Sequence, residues 1–288
     1  MSDEKHELKI SHEHPMDGYL RDGRIPHIFC PGCSLGSITN ILIEAILESD
    51  YDPDKVAIVS GIGCTGRISG YLNFDSFHTT HGRSIPFAIG LGITDPDRKV
   101  IVVSGDGDLF AIGGNHIIHA ARRNADITVI CVNNFNYGMT GGQAGPTTFP
   151  GQVQTTTPYG AKEQPFNIPD LMATCGASYV ARWTALDVRR VKESFSEAIA
   201  KRGFSFVEVL GSCPTTFGRR NQLAEGKKIL EYFKESTILN HEADTRDVGI
   251  YKDSQIIVGK FIDKEDRPSL IDNLLTIQRV SQASENKG

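Results

Sequence analysis

VIVVSGDGDLFAIGGNH, residues 100–116, joins a short apolar run to a polar turn and then to a stretch with helical character. Val100 to Val103 are β-branched or aliphatic and unbroken, which is the pattern of a parallel strand buried on both faces. The turn holds two carboxylates, Asp106 and Asp108, interleaved with Gly105 and Gly107. Acids at such a junction commonly form turns or cap helices. Glycines beside them keep the backbone bare, so another group can come close.

Outward from this stretch the strand-then-helix order repeats. Leu35 to Glu48 has helical spacing, and VAIVSG at 56–61 reads as a strand. Ser84 to Ile93 reads as a small-residue helix that packs closely on its neighbours. A helix from about Ile112 to Arg123 separates VIVVSG from a second strand, ITVICVNN. Ala185 to Arg202 is a further helix, and SFVEVL at 205–210 is the last expected core strand. The β-α-β order predicts an α/β fold with a doubly wound, mostly parallel sheet. No internal repeat or low-complexity tract interrupts it. Three parts follow: an N-terminal extension (1–20), the α/β domain (21–220), and a charged, irregular C-terminal extension (221–288) expected to wrap the core or a partner subunit.

Composition narrows the function. At 288 residues and a net charge of -5, the chain does not look like a nucleic-acid binder. No apolar run approaches the roughly 18 residues of a membrane helix. The opening MSDEKHELKI is too polar for a secretory signal, so the cytoplasm is expected. In that compartment six cysteines read as ligands or small buried hydrophobes rather than disulfides.

In an open parallel sheet, ligands bind at the carboxyl ends of the strands. Two such ends carry unusual chemistry: the acidic turn, and CVNNFNYGMTGGQ, where a strand runs into Asn133 and Asn134. Twenty-five residues separate Gly107 from Asn133, about one helix plus one strand. The two turns should meet at one edge. A carboxylate, an amide oxygen and a backbone carbonyl make a hard oxygen site suited to Mg²⁺. A glycine turn leading into a helix suits a diphosphate. The plainer alternative is two unrelated turns.

The cysteines give a second site. FCPGCS supplies Cys30 and Cys33, a C-x-x-C before a helix. Alone it fits a zinc half-site, a redox dithiol or a cluster half-site. Cys131 lies in an apolar strand and Cys175 ends a helix, so both read as packing. Cys64, in SGIGCTGR, and Cys213, in VLGSCPTTFG, each follow a strand. Four thiols then converge at the ligand edge. That suits an iron–sulfur cluster, and a structural zinc would use the same ligands.

GDG, twenty-five residues, NN resembles the thiamin diphosphate fold motif, in its diphosphate-type half. The resemblance implies that Asp106 and Asn134 ligate Mg²⁺ through side chains and Asn136 through its carbonyl. CPGC, GIGCTGR, HTTHGRSIPFAIGLG, GDGD, NNFNYGMTGGQ and SCPT, in that order, resemble the β subunit of the 2-oxoacid:ferredoxin oxidoreductases. The family implies a [4Fe–4S] cluster on Cys30, Cys33, Cys64 and Cys213. It implies cofactor contacts from Cys64, Thr65, His81, Gly105, Asp106, Gly107, Asp108, Asn134 and Gly138. Asp108 suits the loop or a water better than direct ligation.

The reaction implied is oxidative decarboxylation of a 2-oxoacid, with coenzyme A as acyl acceptor and ferredoxin as electron acceptor. Only one half of a thiamin site is found, so an α subunit is expected to supply the pyrimidine-type domain and its activating glutamate, in an αβ or (αβ)₂ assembly. Arg67, three residues after Cys64, suits a second carboxylate and favours 2-oxoglutarate over pyruvate. Met139 is expected in the same substrate pocket. The rival reading is a cluster-free thiamin decarboxylase or carboligase, which leaves the four strand-end cysteines without a role.

Overall fold

The computed structural model describes residues 15–251, 254–265 and 267–285, and among these it holds ten strands and eight α-helices. The strands are β1 (Val56–Ser60), β2 (Asp75–His78), β3 (Lys99–Gly105), β4 (Thr128–Asn133), β5 (Asn136–Tyr137), β6 (Gln143–Ala144), β7 (Tyr179–Thr184), β8 (Ser205–Leu210), β9 (Thr237–Leu239) and β10 (Ile256–Asp263). The helices are α1 (Leu35–Leu47), α2 (Ile68–Tyr71), α3 (Ser84–Thr94), α4 (Gly114–Arg122), α5 (Ile168–Thr174), α6 (Val188–Ala200), α7 (Gly226–Ser236) and α8 (Leu270–Glu285).

One sheet runs in the order β2-β1-β3-β4-β8-β7-β10-β9. Its pairings are parallel except where β10 runs antiparallel to β7. Period-two alternation sends the residues of β3 to opposite faces. Ile101 and Val103 join one core with α1 and α6, while Val100 and Val102 join the other with α3, α4 and α5. Both faces are covered, as the unbroken apolar runs predict. The long core helices end within a few residues of their expected boundaries.

The small sheet of β5 and β6 folds the loop after β4 back on itself. Between Gly107 and Ile112 the chain makes a wide π-helical turn before α4 begins. Such turns occur often at functional sites.

The sheet continues beyond SFVEVL, the last strand expected. The region expected to be irregular instead forms α7, β9, β10 and α8, with β10 added to β7 and β9 to β10. β7 also escapes a reading by pattern, because Arg182 interrupts its apolar run YVARWT and yet is buried. Residues 1–14 of the N-terminal extension lie outside the described residues, and Leu20 bridges to Leu72. Among the described residues no helix is long and apolar enough to cross a membrane.

Candidate functional site

The carboxyl ends of β1, β3 and β4 open into one cleft. Ile62 to Thr65, His81, Gly105 to Asp108, Asn134 and Asn136 to Thr140 line it. The acidic turn and the asparagine turn therefore meet, because β3 and β4 are direct neighbours. Asn134, Asn136 and both acids sit at this edge with Thr65, Gly138 and Met139.

Asp106 is 2% exposed. The Thr147 hydroxyl donates to its Oδ2 at 2.5 Å, and the Asn134 backbone N–H also donates to it. Burial pushes this carboxyl up to about 6, and those hydrogen bonds only partly offset the burial. Among the described residues no cationic side chain pairs with it. A hard cation would supply the missing countercharge, so Asp106, the Asn134 amide and the Asn136 carbonyl fit Mg²⁺. The turn that follows is packed tightly from one side: a Cβ on Gly107 would run into the Tyr137 ring. Only glycine allows that approach of ring to turn.

Asp108 has a different job. Its Oδ1 accepts from His81 Nδ1 at 2.5 Å, from Gly82 N at 3.0 Å and from Ile62 N at 3.3 Å. Ser104 Oγ donates to its Oδ2 at 2.8 Å. One buried carboxylate thus ties together the loops after β1, β2 and β3. A Cβ on Gly61 would collide with its Oδ2, so glycine is required there. With Nδ1–H committed to Asp108, His81 keeps its other ring nitrogen out of that bond, and the residue lines the cleft.

The cysteines divide as their contexts suggest. Cys131 is fully buried in β4, and Cys175 follows the last turn of α5. Cys33, Cys64 and Cys213 pack partly buried against one apolar core, while Cys30 is exposed. Burial pushes the Cys33 thiol up to about 12 and Cys64 to about 11, and the neighbouring sulfurs add to both. Cys30 and Cys213 are the sulfurs common to both. Among the described residues, however, no three His, Cys, Asp or Glu side chains are closed into a metal-holding group. The donor set is what an iron–sulfur cluster takes, in an open arrangement. Cys213 Sγ lies 3.0 Å from Thr216 Oγ1, which donates to Asn136 Oδ1 at 3.1 Å. One hydroxyl thus links the thiol group to the asparagine loop.

Arg67 and Met139 are not brought together. Met139 lines the cleft just described, whereas exposed Arg67 lines a second cleft with Arg21, Arg24, Ser76 and His78. Among the described residues no acid lines that second cleft. Sequence reasoning misses Thr147, Ser104 and Tyr137. Thr147 lies 41 residues from the acid it serves, in a run of threonines that resembles any loop.

Comparison with known proteins places these features in context. The family described as thiamine pyrophosphate enzyme, C-terminal TPP binding domain, matches residues 52–209, more than half of the chain. The 2-oxoglutarate synthase subunit KorB of Methanothermobacter marburgensis is 47% identical over 265 residues, covering 91% of each chain. The β subunit of a 2-oxoacid:ferredoxin oxidoreductase from Saccharolobus solfataricus is 42% identical over 189 residues, covering 65% of this chain and 62% of that one. Among solved structures, the 2-oxoglutarate:ferredoxin oxidoreductase from Magnetococcus marinus, with 2-oxoglutarate, coenzyme A and succinyl-CoA bound, aligns with a TM-score of 0.82. It is 31% identical and the alignment covers 94% of this chain and 92% of that one.

Proposed function

The chain belongs to the β subunits of the 2-oxoacid:ferredoxin oxidoreductases, and on that premise we propose that, with its α subunit, it converts 2-oxoglutarate and coenzyme A to succinyl-CoA and CO₂, with electrons leaving through a [4Fe–4S] cluster to ferredoxin. The observation that carries this reading is the meeting, at one sheet edge, of a cation-ready carboxylate cleft and a group of four cysteines.

Asp106, Asn134 and the Asn136 carbonyl would hold Mg²⁺, whose charge would offset that of a bound diphosphate. Bound thiamin diphosphate supplies the electron sink that decarboxylation of a 2-oxoacid needs. Asp108 holds the three strand-end loops in register around the cleft, and His81 faces the cofactor from the β2 loop. Ile62, Tyr137 and Met139 give the cleft an apolar lining. Cys30, Cys33, Cys64 and Cys213 would hold the cluster as thiolates, the form that ligation selects. Cys64 lines the cofactor cleft as well, so one residue borders both groups.

The preference for 2-oxoglutarate is supported by the 2-oxoglutarate synthase subunits that the chain resembles; the candidate residue for it is Arg67, which lines the second cleft rather than the cofactor cleft. Its guanidinium, with Arg21 and Arg24 nearby in an acid-free cleft, suits the distal carboxylate of a dicarboxylic substrate. The partner subunit supplies the glutamate for the aminopyrimidine, in an αβ or (αβ)₂ assembly.

The test is substrate-dependent viologen reduction by the co-purified, anaerobic complex, with thiamin and iron measured on the same sample. The expected result is coenzyme A-dependent reduction with 2-oxoglutarate well above that with pyruvate. A complex holding thiamin but no iron would point to the cluster-free decarboxylase instead. Equal rates with both acids would remove the substrate assignment.

A further inference from the structure

Asn133 does not line the cleft, although it is the first residue of the asparagine pair. Its side chain is 1% exposed and points to a buried polar chain. Asn133 Nδ2 donates to Glu208 Oε1 at 2.8 Å. Arg182 Nε donates to Glu208 Oε2 at 2.6 Å, and Arg182 Nη1 donates to the Val248 carbonyl at 2.5 Å. Glu208 is 0% exposed and Arg182 1%, and they sit opposite one another on the paired strands β8 and β7. A buried ion pair of this kind is weak support for stability, since apolar residues often do as well. Its other use is to specify local geometry.

The surroundings of Asn133 supply that geometry. Asn133 Oδ1 accepts from the Phe135 backbone N–H at 3.0 Å. Phe135 has φ +61°, a left-handed conformation that a bulky residue rarely adopts. It is clamped by that bond, by Thr148 Oγ1 donating to its carbonyl at 2.6 Å, and by edge contact with Phe149. The reversal at Phe135 lies between Asn134 and Asn136. It lets both face the cleft, and the Asn136 N–H turns back to Asn134 Oδ1 at 3.4 Å.

We propose that Glu208, paired with Arg182, is a positioning residue for the cation-binding loop: it fixes which way the Asn133 amide faces, and through Phe135 it aims Asn134 and Asn136 at the cleft. The inference rests on the reading that this cleft takes Mg²⁺ and a diphosphate. Its logic is donor and acceptor direction. Arginine only donates, and a carboxylate only accepts. Arg182 therefore holds one oxygen of Glu208 and leaves the other as an acceptor. Asn133 must answer with its NH₂, which leaves its oxygen for the Phe135 N–H.

A near-isosteric change reverses that order. In Glu208→Gln, Arg182 claims the new amide oxygen, and the new NH₂ faces Asn133. Asn133 must then flip, and two donors meet at Phe135. Adding Asn133→Asp restores acceptors on both sides. The introduced carboxylate accepts from the amide NH₂ now at position 208 and from the Phe135 N–H alike.

The experiment uses the complete complex with its partner subunit. Mn²⁺ binding is read by electron paramagnetic resonance and thiamin diphosphate binding by calorimetry, with circular dichroism as the fold control. Glu208→Gln should weaken both ligands by about tenfold or more with the fold retained. The double variant Glu208→Gln/Asn133→Asp should recover affinity to within about threefold of the parent, a non-additivity expected of residues in one network. Parent-like affinity in the single variant overturns the proposal, and so does a loss that the double variant fails to rescue. If the single variant does not fold, the double variant decides alone: recovered folding and binding support the proposal, and continued failure overturns it. Failure of the parent complex to bind Mn²⁺ with thiamin diphosphate would instead sink the proposed function.

Discussion

Lys99 opens β3 and Asp106 follows its end, and burial acts on both. At the amino end burial pushes the Lys99 ammonium down to about 8. At the carboxyl end it pushes the Asp106 carboxyl up to about 6. The surroundings differ. Lys99 Nζ donates to the Lys201 carbonyl at 3.1 Å and lies over the Tyr51 ring at 5.7 Å. It is covered by the chain itself. Asp106 is held by neutral donors and opens on a cleft lined by four strand-end loops. A shifted proton affinity alone marks desolvation; it marks a candidate site only where geometry leaves room for a ligand. Parallel strands leave that room at their carboxyl ends.

The sharpest way to break this contrast is Asp106→Ala. Mg²⁺ and thiamin diphosphate should be lost together, with affinity down by more than about a hundredfold. The fold should survive, since the acid lies in a turn outside the sheet. Stoichiometric cofactor in the purified variant would mean that the carboxyl edge does not work through Asp106.

Within the carboxyl edge, Cys64→Ala and Cys213→Ala should each lose most of the iron. Cys131→Ser and Cys175→Ser should keep it, because one is core packing and the other ends a helix. Iron per chain, measured after anaerobic purification, checks all four. Iron loss in the Cys175 variant with Cys213 dispensable would redraw the ligand set.

Arg67→Ala probes the second cleft. A charge-assisted pair is worth about 1.5–3 kcal/mol, so kcat/KM for 2-oxoglutarate should fall by roughly ten- to a hundredfold. Pyruvate, with no second carboxylate, should be affected much less. Equal losses in parallel steady-state kinetics, with cluster content matched, would assign Arg67 to the cluster loop or the subunit interface.

The smallest effect belongs to the amino end. The folded-state value of Lys99 lies below its ordinary 10.5, so between about pH 8 and 10.5 the unfolded chain binds more protons. Stability therefore rises with pH through that window, and below it the full cost of burying the charge remains. Lys99→Met should raise Tm by about 2–4 °C at pH 7, and the gain should shrink toward pH 10. Thiamin diphosphate affinity should not change. A Lys99→Met variant that loses the cofactor would dissolve the distinction between the two ends.

Much of the core was legible from residue pattern. The runs around Val56, Val100, Thr128 and Ser205 are apolar enough to announce buried strands, and the helices between them follow from spacing. β7 was hidden because a buried arginine interrupts it, and its partner Glu208 is 26 residues away. β9 has three residues, too few for any period to emerge. Arg67 and Met139 looked like neighbours because each follows a cofactor-edge motif, yet they line different clefts.

By itself the sequence determined the parallel strands and the acidic and asparagine turns at their ends. All of these depend on residues close together in the chain, where period and turn chemistry act. Tertiary structure alone decided that Asp108 ties three loops, that Thr147 serves Asp106, and that Asn133 answers to Glu208 across 75 residues. Hydrogen-bond direction between distant strands depends on which groups folding brings face to face. No local spacing in the chain encodes it.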